Sequence, residues 1–204
     1  FFVKNYINHL NIRQTDLSSI TGSKDVKGTI TKKYWGYGIG SRYTAIEPLS
    51  IKISYEHSVR LPLARELLGN GTTIYANVAL KPESSDNINL GIFGTWHPAP
   101  GHTLYYEANG FLRYVDDYIQ ATVETKEGMM QYKNVPAVHI KGIEGEVRYD
   151  WQSKLQLATN VSFQEARDQN RYKTDGKPSA TYNNRVPNRP WLFGSAEASY
   201  LFHN

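Results

Sequence analysis

Two histidines, His97 and His102, flank the Pro-rich segment "HPAPGH". Imidazoles at this spacing hold a metal only if the chain turns both to one point and supplies a third ligand. No HExxH pattern and no third ligand accompany them, and His9, His57, His139 and His203 are scattered. They are expected to be solvated turn residues. The carboxylates cluster as Asp116-Asp117 and as Glu144/Glu146. Paired carboxylates act as general acid and base when their surroundings push their pKa values apart. Here the first pair opens a long loop, and the second shares a strand face with Arg148, which reads as an ion-pair ladder. The serines lack a nucleophile elbow, and Gly36, Gly38 and Gly40 recur at every second residue, as one face of a strand rather than a phosphate cradle. An enzyme is not expected, nor is a cofactor or metal. One stretch could bind a ligand: Arg167, Arg171, Tyr172, Lys173, Arg185 and Arg189 form a basic, Tyr-containing segment. It suits an anionic or aromatic ligand; the plainer reading is a solvated loop.

The elements that must position these residues have a period of two. In "KLQLATNVSFQE" (154–165), Leu155, Leu157, Val161 and Phe163 share one face, and Gln156, Asn160, Ser162 and Gln164 the other. That alternation is a strand's. The same pattern predicts strands near 2–12, 35–43, 49–56, 87–96, 103–115, 142–151 and 191–202. Phe111 falls on the otherwise polar side of its strand. Connections alternate too. Those at 45–50, 97–102 and 151–154 are short; those at 14–33, 58–86, 116–137 and 166–189 are long. Within the long ones, 118–125 and 129–135 read as a hairpin around Glu127-Gly128, "TDG" (174–176) as a turn, and "PLARELL" (62–68) as one helical turn with Pro62 at its first position. The reading is an all-β, antiparallel, up-and-down meander of about eight strands.

The chain has 204 residues with a net charge of +4 spread along its length, so nucleic acid is not an expected partner. It holds no cysteine, which removes disulfides and thiolate sites. No apolar run is long enough for a transmembrane helix. Fifteen tyrosines and sixteen glycines suit strands and turns. A soluble β-sandwich, such as a carbohydrate-binding module, also alternates. A membrane barrel would turn the apolar face to lipid and point Arg42, Lys52, Glu56, Glu107, Arg113, Glu144, Glu146, Arg148 and Glu197 into a wet lumen. Strand lengths of about ten residues favour the barrel. So do aromatics near strand ends on the apolar face: Trp35, Tyr43, Tyr55, Trp96, Tyr114, Tyr149, Trp151 and Tyr200.

Residues 55–94 carry Arg60-Leu-Pro62, then Glu66-Leu67, then Asn77-x-x-Leu80-Lys81-Pro82-Glu83, and a strand through Leu90-Gly91. Asn134, followed by Gly142-Ile143-Glu144, makes a second match, and Arg185-Val-Pro-Asn-Arg-Pro190 a third. Together they resemble the β-barrel of TonB-dependent outer-membrane receptors. The resemblance implies a piece of a larger, 22-strand-type transmembrane barrel, with 1–204 a fragment of the barrel domain. The plug domain and final aromatic-ended strand would be absent; the start on Phe1-Phe2-Val3 and the end within a strand agree with a fragment. It implies a Gram-negative outer-membrane location and import of a scarce nutrient, a ferric siderophore above all. The implied partners are membrane lipid and lipopolysaccharide, the plug of the parent chain, the inner-membrane TonB complex and the small-molecule ligand. The Leu80-Lys81-Pro82-Glu83 region would be structural, with Pro82 stiffening the start of a strand and Glu83 accepting hydrogen bonds or pairing with a cation such as Arg60.

Overall fold

A computed structural model describes residues 1–16, 24–123, 128–172 and 176–202, with the side chains of 8, 10–16 and 24–30 outside the description. Eight long strands follow the expected order: β1 (Phe2–Asp16), β2 (Lys24–Ile46), β3 (Leu49–Arg60), β5 (Glu83–Trp96), β6 (His102–Val123), β7 (Met130–Trp151), β8 (Leu155–Asp168) and β9 (Leu192–Tyr200). Between β3 and β5 lie the short helix α1 (Ala64–Leu68) and the two-residue strand β4 (Ile74–Tyr75). Each long strand pairs antiparallel with its neighbour in sequence, in the order β1-β2-β3-β5-β6-β7-β8-β9, while β4 pairs parallel with β7.

The expected connections need two corrections. Residues 14–33 are not mainly loop: pairing continues from Phe2↔Gly38 to Asp16↔Lys24. A backbone ladder does not require apolar side chains, so the charged run misled the pattern. The hairpin expected in 116–137 is present and continues β6 and β7 as one ladder, Tyr118↔Val135 through Val123↔Met130. The helix begins two residues later than expected, so Pro62 precedes it rather than occupying its first position. Glu127, Lys173, Thr174, Asp175 and His203 lie outside the described residues.

All strands belong to one sheet, which excludes the sandwich. Its surface is 14467 Å², against ~9,700 Å² for a folded monomer of this mass. The excess is a face without a second layer. Ile39, Ile53, Leu90, Ile143 and Val161 alternate along that face and are all more than half exposed. The register carries the row Ile39–Tyr55–Ile88–Leu112 unbroken across four strands. Aromatics mark both margins: Tyr43, Trp96, Tyr149, Trp151 and Tyr200 near the short turns; Trp35, Tyr55 and Tyr114 toward the long loops.

The one buried apolar cluster among the described residues lies on the other, polar face, at the long-loop end. It joins Phe111, Val115, Tyr118, Val138, Ile140, Ala166 and Val186, with Val138 fully buried. Val115 and Tyr118 would lie on opposite faces of a regular strand. Asp117 between them sits at φ 51 and breaks the alternation, so both reach the cluster. Gly142 lies against it. A Cβ there would stand 2.4 Å from Phe111 Cζ and 2.4 Å from the Phe163 carbonyl oxygen. The ring could shift, but the backbone of β8 could not without breaking the ladder.

The segment 61–82 is held across the ends of β3, β5 and β7 by polar groups. Arg60 donates to Glu83 from Nε at 2.7 Å and from Nη2 at 3.0 Å. Its Nη1 donates to both oxygens of Glu66 at 3.1–3.2 Å. Glu66, buried, also accepts from the Leu63 amide at 2.8 Å, and Glu83 from the Ile119 amide. One guanidinium thus ties α1, β3 and β5 together, and Glu83 carries the tie to the β6 extension. Leu80-Lys81-Pro82 leads directly into β5 at Glu83. Asn134 pairs with the Lys81 backbone like a strand neighbour: its Oδ1 accepts from the Lys81 amide at 2.9 Å, and its Nδ2 donates to the Lys81 carbonyl at 3.0 Å. Asn77 Nδ2 donates to the Tyr132 carbonyl at 2.8 Å.

Two outcomes are expected in the parent protein. Glu83→Ala leaves the Arg60 guanidinium bonded to Glu66 alone and the Ile119 amide without its acceptor, and costs about 1–3 kcal/mol. Segment 61–82 should then be cut by protease at lower enzyme concentrations; an unchanged cleavage profile and unchanged resistance to heat on gels would refute this role. Gly142→Ala should lower the temperature at which folded migration is lost, by a cost of about 1–3 kcal/mol, while Gly145→Ala, whose Cβ would meet nothing closer than 3.8 Å, should not.

Candidate functional site

The polar face carries a ladder of charges along its short-turn half. Lys52 and Glu107 form an ion pair, Tyr105 donates to the same carboxylate, and Asn109 Nδ2 donates to it at 2.6 Å. Arg148 lies over the Tyr105 ring at 4.3 Å and bonds Glu146 at 2.9 Å. The expected ladder of Glu146 and Arg148 is therefore present. Glu144 instead borders a depression of about 450 Å³ shared with Arg42, Lys52, Asn109 and Arg113. Gly91 opens room beside it: a Cβ would stand 2.0 Å from Asn109 Oδ1. The arrangement is a hydrated, alternately charged wall. Among the described residues no group of His, Cys, Asp or Glu could hold a metal ion.

Histidines expected in turns are partly strand residues. His57 in β3 stacks on Tyr37 at 5.2 Å and bonds Asp86 at 2.9 Å. His139 in β7 meets Tyr114 edge-on at 4.7 Å. His102, at the start of β6, bonds Tyr149 at 2.6 Å and stacks on Trp151. All three stand on the apolar face at its margins, and the alternation of their strands could have placed them there. Asp117 is paired with Lys81 at 3.4 Å, and its carbonyl accepts from Asn134 at 2.6 Å.

Among the described residues, the basic segment is spread over several places. The chain after 183 runs back along β8: the Val186 amide donates to Ala166, and Arg185 stands opposite Arg167. This register sends Val186 into the buried cluster and turns Arg167 and Arg185 to the apolar face. There Arg167 Nη2 donates to Glu165 at 2.5 Å, with Arg185 and Lys141 both 3.6 Å from the same carboxylate. The remaining candidates sit elsewhere. Arg189 donates to the Tyr118 hydroxyl at 2.9 Å, beside Gln120, which bonds the Pro187 carbonyl. Arg171 donates to the Tyr182 hydroxyl at 3.1 Å. Tyr172 is exposed and bridges Pro178.

Arg60 keeps its charge beyond its already high usual pKa, chiefly through Glu83 and against a partial desolvation. Its stabilisation is present at every pH below that value and would be lost only in strong base.

The family model described as TonB dependent receptor-like, beta-barrel, matches residues 5–204. No curated protein matches the chain. Among solved structures, the copper transporter OprC is similar over 98% of this chain and 29% of its own, with 16% identity and a TM-score of 0.71. The ferric-catecholate import receptor Fiu from K12 E. coli is similar over 97% of this chain and 28% of its own (18% identity, TM-score 0.61). The FrpB iron transporter from Neisseria meningitidis is similar over 87% and 26% (19% identity, TM-score 0.54). The chain thus spans under a third of each structure's length. At these identities the likeness shows the fold, and the family match assigns the sequence: this chain belongs to the TonB-dependent receptor β-barrel family.

Proposed function

We propose that this chain is part of the wall of a Gram-negative outer-membrane receptor that imports a scarce nutrient, a ferric siderophore above all, by TonB-dependent transport. The observation that carries the reading is a single sheet with an uncovered apolar face, aromatic margins and a charged opposite face. Lipid supplies the missing layer on one side and a hydrated lumen the other. The short turns would face the periplasm and the long loops the exterior. Exposed edges at β1 and β9 would pair with the remaining strands of a larger, 22-strand-type barrel, because an unpaired edge cannot persist in lipid. The ladder around Glu107 and Arg148 would meet the plug of the parent chain, which would contact the inner-membrane TonB complex.

The choice of an iron chelate rests on charge and position. Arg171 and Arg189 each pair with a tyrosine in the long-loop end, where an anionic, aromatic complex would arrive. The structures similar to this chain include a ferric-catecholate import receptor and an iron transporter beside a copper transporter. In the intact receptor, Arg171→Ala with Arg189→Ala should raise the half-saturating concentration of a ferric siderophore about tenfold, each charged hydrogen bond contributing ~1.5–3 kcal/mol before solvent exposure reduces it. Uptake of radiolabelled iron complexes by iron-starved cells measures this. Unchanged uptake at equal surface expression would remove these residues from the ligand site. A parent protein that purifies without detergent would overturn the outer-membrane reading.

A further inference from the structure

We propose that Tyr55, His57 and Asp86 form a binding site for a ferric ion on the apolar, outward face of the wall, apart from whatever passes through the lumen. The register assembles it from three strands. Tyr37 in β2 stands opposite His57 in β3, and His57 opposite Asp86 in β5. Tyr55 shares the face of His57, one pleat away along β3. Asp86 Oδ1 accepts from the Tyr55 hydroxyl at 2.7 Å and from His57 Nδ1 at 2.9 Å. The Tyr37 ring stacks on His57 at 5.2 Å and lies 6.3 Å from the Tyr55 ring, which brings a second phenol to the group.

Asp86 is the residue that calls for a partner. A carboxylate on a lipid-facing surface is costly unless it is paired. Glu165, on the same face, has three cations around it. Asp86 has none of that kind: among the described residues its only ion-pair partner is His57. Its other neighbours on this face are Tyr114, opposite it on β6, and His139, edge-on to Tyr114. His57 and Asp86 are too few ligands by themselves, and the phenol of Tyr55 makes a third.

Spacing and donor chemistry select the ion. At the ~2.0–2.1 Å bonds of a small hard cation, adjacent corners of an octahedron lie about 2.8–3.0 Å apart. The two contacts to Asp86 Oδ1 lie close to that edge. Tetrahedral zinc and the larger calcium ion both need a wider spacing, about 3.3 Å or more. Carboxylate and phenolate are hard oxygen donors, imidazole suits iron rather than magnesium, and tyrosine holds iron in haem proteins. Binding exchanges protons for the metal. The Tyr55 O–H bond breaks and its proton passes to water, and the His57 proton moves from Nδ1 to Nε2. Three bonds to iron form, with no change of oxidation state. Position gives the ion access. Asp86 lies about ten residues from Trp96, where β5 ends. Ten residues span ~33 Å of strand, or about 25 Å of height at the usual tilt of ~35–45°. That equals the apolar band of such barrels, so on the outer-membrane reading above, the site meets water outside the cell. Side-chain exposures of 25% for His57 and 47% for Asp86 leave it open.

The test uses the full-length receptor purified in detergent and freed of iron, with heat-resistant migration as the check of folding. Ferric ion is supplied as its weak nitrilotriacetate chelate. The wild type is expected to retain an additional ferric ion per chain and to show the visible charge-transfer absorption of tyrosinate bound to iron. Changes beside a metal's ligands cost about 10–100-fold in affinity, so loss of a ligand itself in Tyr55→Phe or Asp86→Asn should weaken retention at least about a hundredfold. Equal iron retention and equal absorption in the wild type and both variants would overturn the site. Zinc held as tightly as ferric ion would overturn the choice of ion. An absorption lost in Tyr37→Phe but kept in Tyr55→Phe would overturn the role of Tyr55. Ferric siderophore import by cells carrying Tyr55→Phe should be unchanged, and lost import would overturn the site's independence of the lumen. Because binding is measured in detergent, absence of the receptor from the outer-membrane fraction would overturn only the membrane reading and the access drawn from it. Should Asp86→Asn fail to fold, His57→Gln is expected to weaken retention at least about tenfold, and unchanged retention would overturn the site.

Discussion

The guanidinium of Arg60 is the contact on which the long-loop end depends. Strand β3 ends there, β5 begins at its partner Glu83, and α1 is fastened through Glu66. Two carboxylates and one guanidinium leave a negative surplus in a partly dry place, which is costly without further donors. The amides of Leu63 and Ile119 supply them. The tie works because every partner comes from a different element. Lysine would offer a point charge without the fork that reaches both carboxylates. The rigidity of Pro82 has a matching purpose: it fixes φ and has no amide to satisfy just before the strand begins.

A lone sheet of this size would be a poor soluble protein. Its apolar face is wide, continuous and without a covering layer, and β9 is exposed along its whole length. Hydrocarbon changes the balance. It removes the apolar face from water and makes every unpaired backbone group costly, which favours a fully hydrogen-bonded sheet. The polar face then needs water or a polar body, and the pairs Lys52–Glu107 and Glu146–Arg148 keep its charges compensated.

Much of this was legible in the sequence because a strand's faces follow from parity. The row of Ile51, Ile53, Ile88, Leu90 and Ile92 could be assigned from alternation, and the cross-strand register agrees with it. The Arg60–Glu83 pairing followed from the motif's resemblance. Parity fails wherever the backbone leaves the β region. Asp117, at φ 51, shifts Tyr118 onto the face of Val115, and nothing in Asp116-Asp117 announces it. The basic segment is divided between places for a related reason. Its residues look like one patch in sequence, but 184–191 folds back along β8, so neighbours one residue apart, Arg185 and Val186, face opposite sides. Asn134 shows a further limit: its value lies in imitating a peptide group toward Lys81, fifty-three residues away, which only the assembled sheet reveals.

The lengths of β6 and β7 explain why a hydrophobic cluster sits on the polar face at all. Each has 22 residues, while a tilted crossing of hydrocarbon takes about 9–11. Half of each strand therefore stands in water, where lipid no longer supports the sheet. A two-stranded ribbon is marginal by itself. The projecting part is supported instead by what folds against it: Val186 and the 184–191 segment on one side, the 61–82 segment with β4 on the other. Phe111 and Ile140 lie where the two regimes meet, buried at 5% and 3% exposure, and the glycine at 142 lets β7 pass the Phe111 ring without a clash. The wall thus has two stability sources along one pair of strands, solvent-supplied below and chain-supplied above, and the change of face at Asp117 falls on the chain-supplied side of that junction.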